Sequence, residues 1–147
     1  MNWSNTVGTH LVGERAFHSG GRAIADIPLT DLTGPGVVAE ISDLVSDYGL
    51  YTPEMIMQKA EVRKGDILVR HPGPSPEFFQ WALDMELKVV GVDCGCAEHP
   101  MNTPIRRLHE REFKKAEAKL VADFGKTWDE MFPQQWYYEM THITLPK

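Results

Sequence analysis

The chain has 147 residues, of which 42% are hydrophobic and 24% are charged, and its formal net charge is −6. This length and composition predict one globular domain with a real core, and the acidic balance without any basic run argues against nucleic acid as a partner. No apolar run approaches the roughly 20 residues that cross a bilayer, and the first residues lack a signal peptide's basic start and apolar stretch, so we expect a cytoplasmic protein with no membrane partner.

A glycine-rich segment near the N-terminus, the histidine loop of residues 8–21, carries the side chains best suited to chemistry. It contains His10, Glu14 and His18 among four glycines. Imidazole is the commonest protein metal ligand and titrates near neutral pH, while glycines let a backbone turn tightly and approach ligands. Composition alone also permits an ordinary interpretation, in which His10 is a half-buried strand residue and His18 a surface residue before a glycine pair.

Three segments rich in β-branched residues predict the core of the fold. They are residues 37–41, 66–70 and 88–92. Helical segments separate them, and a strand–helix–strand order is typical of parallel pairing. We therefore expect an α/β domain in which these three strands are neighbours and largely buried.

Two helices are predicted between these strands. The first covers residues 52–60, because Thr52 is a natural N-cap and Pro53 suits the first helical position. The second begins after Ser75 for the same reasons, and its apolar residues recur at helical spacing. We interpret that stripe as core packing; its members are Phe78, Trp81, Ala82 and Met85.

The C-terminal third predicts two further helices and a strand. Residues 105–124 read as a long amphipathic helix ended by Gly125, and Thr127 with Glu130 forms a capping box that opens a short helix. A closing strand at residues 140–145 would deliver His142.

The loop at residues 94–104 follows the third predicted strand, and ligands commonly bind at the carboxyl ends of parallel strands. Its polar residues fit a binding role or an ordinary polar loop equally well; they include Glu98, His99 and Asn102. Cys94 and Cys96 are too close together for a comfortable disulfide or for the usual zinc spacing. We interpret them as reduced thiols, and a metal-free thiol enzyme that uses one of them is a third functional hypothesis.

The histidine loop and several later segments together resemble the cyclase family, which includes kynurenine formamidases and isatin hydrolases. Gly8-Thr9-His10-Leu11, followed by the stretch from Phe17 to Gly21, is similar to the family signature H-x-G-T-H-x-D-x-P-x-H. The resemblance continues at residues 27–29, 34–38, 64–69, 90–93 and 99–100. It implies a single cyclase-like domain over residues 1–147, incomplete relative to the family. The implied architecture is a mixed sheet with packed helices, of the swivelling β/β/α-like kind.

The resemblance also implies a chemistry. Family members use a divalent metal, usually zinc or manganese, to hydrolyse an amide, either N-formyl or cyclic, as arylformamidases do. It implies that His10 and His142 are metal ligands and that His18 is the catalytic residue that transfers a proton, with Glu14 as a catalytic or substitute carboxylate. A small-molecule amide would be the substrate, and a homo-oligomer would be the assembly.

The departures from the family support a second hypothesis. Thr6 stands where the family has a histidine, Val12 where it has the metal-binding aspartate, and Ala16 where it has a further histidine. Valine offers no donor atom, and a neutral hydroxyl is a poor zinc ligand. The late glutamate that follows the family's counterpart of His142 is also absent. We therefore expect weak or absent metal binding, and a truncated or degenerate, non-catalytic oligomer subunit or binding module is the alternative.

Overall fold

The computed structural model of the chain describes residues 9–16, 19–70, 73–93 and 110–132. These residues form three strands, four α-helices and three short 3₁₀ turns, the turns at Glu14–Ala16, Ile24–Asp26 and Leu29–Asp31. Within these ranges, none of the helices is long and apolar enough to span a membrane. The predicted strand at residues 140–145 lies outside the described residues.

A parallel sheet forms the centre of the fold. Its strands are β1 (Gly36–Val38), β2 (Ile67–Arg70) and β3 (Val89–Val92), in the spatial order β1-β2-β3. Both strand pairs are parallel, as their strand–helix–strand connections require. The predicted α/β character and the neighbourhood of the three strands are therefore confirmed.

The first strand is shorter than predicted. The chain leaves the sheet after Val38, although the Ala39 amide still donates to the Val69 carbonyl at 2.8 Å. The carbonyl of Ile41 then accepts a hydrogen bond from the Leu44 amide at 2.9 Å, in a turn. Ala39 and Ile41 are buried, so the apolar character of residues 39–41 reflects burial rather than strand conformation.

Four helices follow the predicted pattern. They are α1 (Pro53–Lys59), α2 (Pro76–Asp84), α3 (Glu110–Phe124) and α4 (Trp128–Met131). Proline occupies the first position of α1 and of α2, where a missing amide hydrogen loses no helical bond. The part of the predicted third helix before Glu110 lies outside the described residues.

The helix starts differ from prediction in their capping. Thr52 and Ser75 precede α1 and α2 in extended conformation, but neither side chain makes the capping hydrogen bond to a backbone amide of its helix. The capping box before α4 does form. The Glu130 amide donates to Thr127 Oγ1 at 3.4 Å, and the Thr127 amide donates to Glu130 Oε2 at 2.7 Å.

The first core cluster lies on one face of the sheet. Leu68, at the centre of β2, is fully buried beneath Ile56 of α1 and Phe78 of α2. Phe78 contacts Tyr51 edge-on, with ring centroids 5.4 Å apart. The other apolar residues predicted along α2 pack against this cluster, which confirms their role in the core; they are Trp81, Ala82 and Met85.

The opposite face of the sheet is exposed among the described residues. Val38 and Val69, which are register partners, are 73% and 38% exposed. The prediction of largely buried strands is therefore wrong for this face. Right-handed crossovers in the order β1-β2-β3 place both α1 and α2 on the same side of the sheet, because each crossover turns in the same sense.

A second core cluster joins α3 to α4. Trp128 is fully buried, stacks on Phe132 with centroids 5.2 Å apart, and meets Phe113 edge-on at 6.0 Å. Leu50 belongs to this cluster, whereas the next residue, Tyr51, belongs to the first. The dipeptide therefore connects the two cores.

We expect Leu68→Ala to lower the free energy of unfolding by about 2–5 kcal/mol, because it leaves a cavity beneath two helices. Val38→Thr, on the exposed face of the neighbouring strand, keeps a β-branched side chain and should change stability by no more than about 0.5 kcal/mol. Urea denaturation of both variants measures the difference. Equal destabilisation would show that the exposed face is covered in solution.

Candidate functional site

The structure describes two of the four predicted site residues. His10 and Glu14 lie within the described part of the histidine loop, and the His10 side chain is exposed. His18 and His142 lie outside the described residues, as do Cys94 and Cys96. The described part of the candidate site therefore centres on Glu14 and the residues around it.

Glu14 is held by Arg22. The Arg22 Nε donates to Glu14 Oε1 at 2.8 Å, and Nη2 lies 2.7 Å from the same oxygen. The backbone amide of Arg22 donates to the other carboxylate oxygen, Oε2, at 3.0 Å. The Glu14 side chain is only 11% exposed, so the carboxylate is sheltered from water and both of its oxygens bind Arg22.

Arg22 also reaches a second carboxylate. Its Nη1 lies 3.4 Å from Asp31 Oδ2. The hydrogen bond that Arg22 donates to Glu14 raises the pKa of Arg22, against the opposing effect of desolvation, and Asp31 raises it further. Arg22 is therefore a permanent cation that bridges two acidic residues from different 3₁₀ turns.

Close backbone packing closes the loop around this ion pair. Gly21 is buried, and a Cβ atom there would lie 2.6 Å from the carbonyl carbon of Glu14 and 2.8 Å from the amide nitrogen of Arg15. Arg15 Nε donates to the Gly21 carbonyl at 3.3 Å. Only glycine permits this approach, because the clashing atoms belong to backbone that cannot move aside.

The segment that carries Asp31 is anchored at the amino-terminal edge of the sheet. Lys88, which directly precedes β3, donates from Nζ to the carbonyls of Thr30 and Thr33, at 3.1 and 3.2 Å. These carbonyls flank Asp31, the second partner of Arg22. Ligands of open α/β sheets usually bind at the opposite, carboxyl edge, where residues 94–104 follow β3. Residues 94–104 lie outside the described residues.

Arg22 and Arg70 are notable residues that the sequence analysis missed. Arg70 ends β2 at the carboxyl edge and is 3% exposed, with its guanidinium carbon 4.5 Å from the Phe78 ring centroid and 5.1 Å from that of Tyr51. A strand pattern does not reveal that its terminal arginine is buried. For Arg22, the available sequence signal is its position as the first cationic residue after the glycine pair, Gly20-Gly21.

A cavity of about 310 Å³ lies between the two core clusters and opens to solvent. Its walls come from the segment before α1, from α1 itself and from the end of α3; they include Leu44, Leu50, Met55 and Phe124. None of the described residues of the histidine loop, 9–16 and 19–21, lines it.

The donor groups of the loop suit a divalent metal only in part. An imidazole such as His10 and a carboxylate such as Glu14 are good ligands for zinc or manganese. However, Arg22 already engages both oxygens of the Glu14 carboxylate, and Val12, which is 48% exposed, has no donor atom. Among the described residues, no cluster of three or more His, Cys, Asp or Glu side chains could hold a metal ion.

Comparison with known proteins identifies the family. A family model described as "putative cyclase" matches residues 1–99, which are 99 of the 147 residues and include the histidine loop and all three strands. The chain therefore belongs to the cyclase family. No curated protein and no solved structure matches it. Helices α3 and α4 lie beyond the matched residues.

We expect Gly21→Ala to open the histidine loop, because the added methyl group meets backbone atoms at under 3 Å. The Arg22 amide, which donates to Glu14, should exchange its hydrogen at least about tenfold faster, since a lost charge-assisted hydrogen bond has an effect of this size. Hydrogen exchange followed by NMR measures this. Gly65→Ala is the control, because a methyl group there meets no atom within 4 Å and strains only its own turn. Unchanged exchange at Arg22 would contradict the described packing.

Proposed function

We propose that this cyclase-family chain is a metal-dependent hydrolase that acts on an amide. The observation that supports this most directly is the family match, which covers the histidine loop with its imidazole and carboxylate groups. The proposed substrate is a small molecule with an N-formyl or cyclic amide, as for an arylformamidase. We further propose a cytoplasmic homo-oligomer.

The proposed roles follow the chemistry of each side chain. His10 and His142 would hold zinc or manganese, which when bound supplies a water of near-neutral pKa as the nucleophile. His18 would move the proton, because its imidazole can donate or accept near pH 7. Glu14 would act as a substitute carboxylate for the aspartate replaced by Val12, after release from Arg22.

A second candidate function has a specific observation in its favour. The carboxylate of Glu14 is engaged by Arg22 through both oxygens, and it is the only acidic side chain in the histidine loop. Together with the replacements at Thr6 and Val12, this favours a non-catalytic family member that serves as an oligomer subunit or binding module.

Turnover and metal content together distinguish the two candidates. If the chain is a hydrolase, the protein supplied with zinc or manganese should cleave an N-formyl aryl amine. His18→Gln should then lower kcat by about 10²–10⁴-fold while metal content stays constant, because it removes only proton transfer. His10→Gln should lower metal content as well. No metal-dependent cleavage by the unaltered protein would favour the non-catalytic alternative.

Restoring the family's ligands should restore metal affinity. We expect the double variant Thr6→His with Val12→Asp to bind zinc or manganese on the order of 100-fold more tightly, since even second-shell losses change affinity about 10–100-fold. Isothermal titration calorimetry measures the dissociation constants.

The matched control places the new carboxylate one position away. Thr6→His with Leu11→Asp adds the same chemical groups at a neighbouring exposed residue. Equal affinity of the two double variants would show that this loop does not place position 12 as the family does. Tight metal binding by the unaltered protein would contradict the expected weakness.

A further inference from the structure

We propose that the Arg22 guanidinium serves, in this chain, as the cation that organises the histidine loop. The loop would thus reach its folded conformation without metal, and Arg22 and a metal would compete for Glu14. This inference rests on the family membership and on the proposed ligand role of Glu14. It does not depend on turnover.

The first argument is the way in which Arg22 is bound. It contacts Glu14 through two side-chain nitrogens and its own amide, and it contacts Asp31 through a third side-chain nitrogen. One positive centre therefore holds two carboxylates that come from separate turns. Drawing oxygen ligands from different segments to one point is what a structural cation does in a metal site.

The second argument is burial. The Glu14 side chain is 11% exposed, whereas those of Arg22 and Asp31 are 39% and 49% exposed. A sheltered carboxylate is strongly unfavourable unless a cation neutralises it and hydrogen bonds satisfy its oxygens. Arg22 does both, so Glu14 can stay charged in the folded loop.

The third argument is the shape of the backbone. Gly21 lies so close to Glu14 that any side chain at position 21 would clash with the turn. This contact brings the next amide, that of Arg22, within hydrogen-bonding distance of the carboxylate. Arg15 reinforces the closure by donating to the Gly21 carbonyl. The backbone is therefore arranged for the arginine, and the ion pair is more than a chance surface contact.

The fourth argument comes from the substitutions themselves. Position 12 has lost its family carboxylate, and the Val12 side chain is about half exposed. With that carboxylate replaced by an apolar group, Glu14 is the remaining acidic side chain of the loop. Its cationic partner, Arg22, belongs to the same chain and follows it by eight residues. A metal that used Glu14 as a ligand would compete with this cation for the carboxylate oxygens.

The test removes only the guanidinium. Arg22→Gln keeps the backbone amide that donates to Glu14, and Arg63→Gln is the matched control, because Arg63 also binds a glutamate, Glu61, but at an exposed site. The readout is the hydrogen exchange of the amide at position 22, measured by NMR with the metal chelator EDTA, with zinc and with manganese.

In the unaltered protein we expect the exchange rate at position 22 to be the same in EDTA as in zinc. Arg22→Gln should raise this rate at least about tenfold, as expected for loss of a charge-assisted contact, and Arg63→Gln should not change it. Added zinc or manganese should reverse the increase in Arg22→Gln, and should bind this variant more tightly than the unaltered protein. The further change Glu14→Gln should remove that gain.

Two outcomes would overturn the inference. One is a loop in the unaltered protein that exchanges faster in EDTA than in zinc, since it would then depend on metal. The other is unchanged exchange at position 22 in Arg22→Gln. If Arg22→Gln fails to fold, Arg22→Lys, which keeps the charge but loses the forked geometry, provides the same comparison with a smaller expected increase. Absence of amide hydrolysis would contradict the proposed hydrolase but would not affect these exchange rates.

Discussion

Strand β2 is hydrogen-bonded along both edges, and most of the described fold depends on this pairing. Its central residue, Leu68, is the point at which the sheet meets α1 and α2, and it is fully buried. Because both crossover connections turn in the same sense, the two helices share one face of the sheet. The one-sided burial of the sheet is therefore a consequence of strand order and not of weak hydrophobicity on the other face.

The segment after β1 connects the two core clusters. Tyr51 packs in the first core, and its backbone pairs with the chain that enters α2: its amide donates to the Gly73 carbonyl at 3.1 Å, and its carbonyl accepts from the Ser75 amide at 2.8 Å. Leu50 packs against α3 and α4 in the second core. Two successive residues thus attach the helices beyond the family-matched region to the region that defines the family.

The histidine loop differs from the cores in what holds it together. The cores are stabilised by burial of apolar surface, whereas the described part of the loop is closed by charge and by the close approach of Gly21 to the backbone of Glu14 and Arg15. A guanidinium differs from a metal ion in two respects, since it is part of the chain and its donors have a fixed planar arrangement. A loop closed in this way neutralises the Glu14 carboxylate with a group of the same chain.

The sequence by itself determined the elements whose signals are local. Pro53 and Pro76 marked helix starts, Thr127 with Glu130 marked the capping box, and the β-branched segments marked three parallel neighbours, because each of these patterns depends on residues a few positions apart. Short motifs in the right order were also enough to indicate the cyclase family, which the family match then confirmed.

Only the tertiary structure decided which charges meet and which faces are covered. The pairing of Glu14 with Arg22 crosses a glycine turn, and the burial of Arg70 depends on the rings of Tyr51 and Phe78 from other segments. The exposure of Val38 likewise depends on which face of the sheet α1 and α2 cover. These outcomes come from contacts between residues that are distant in the chain, and the free energy of such contacts is set by geometry and desolvation that no local pattern records.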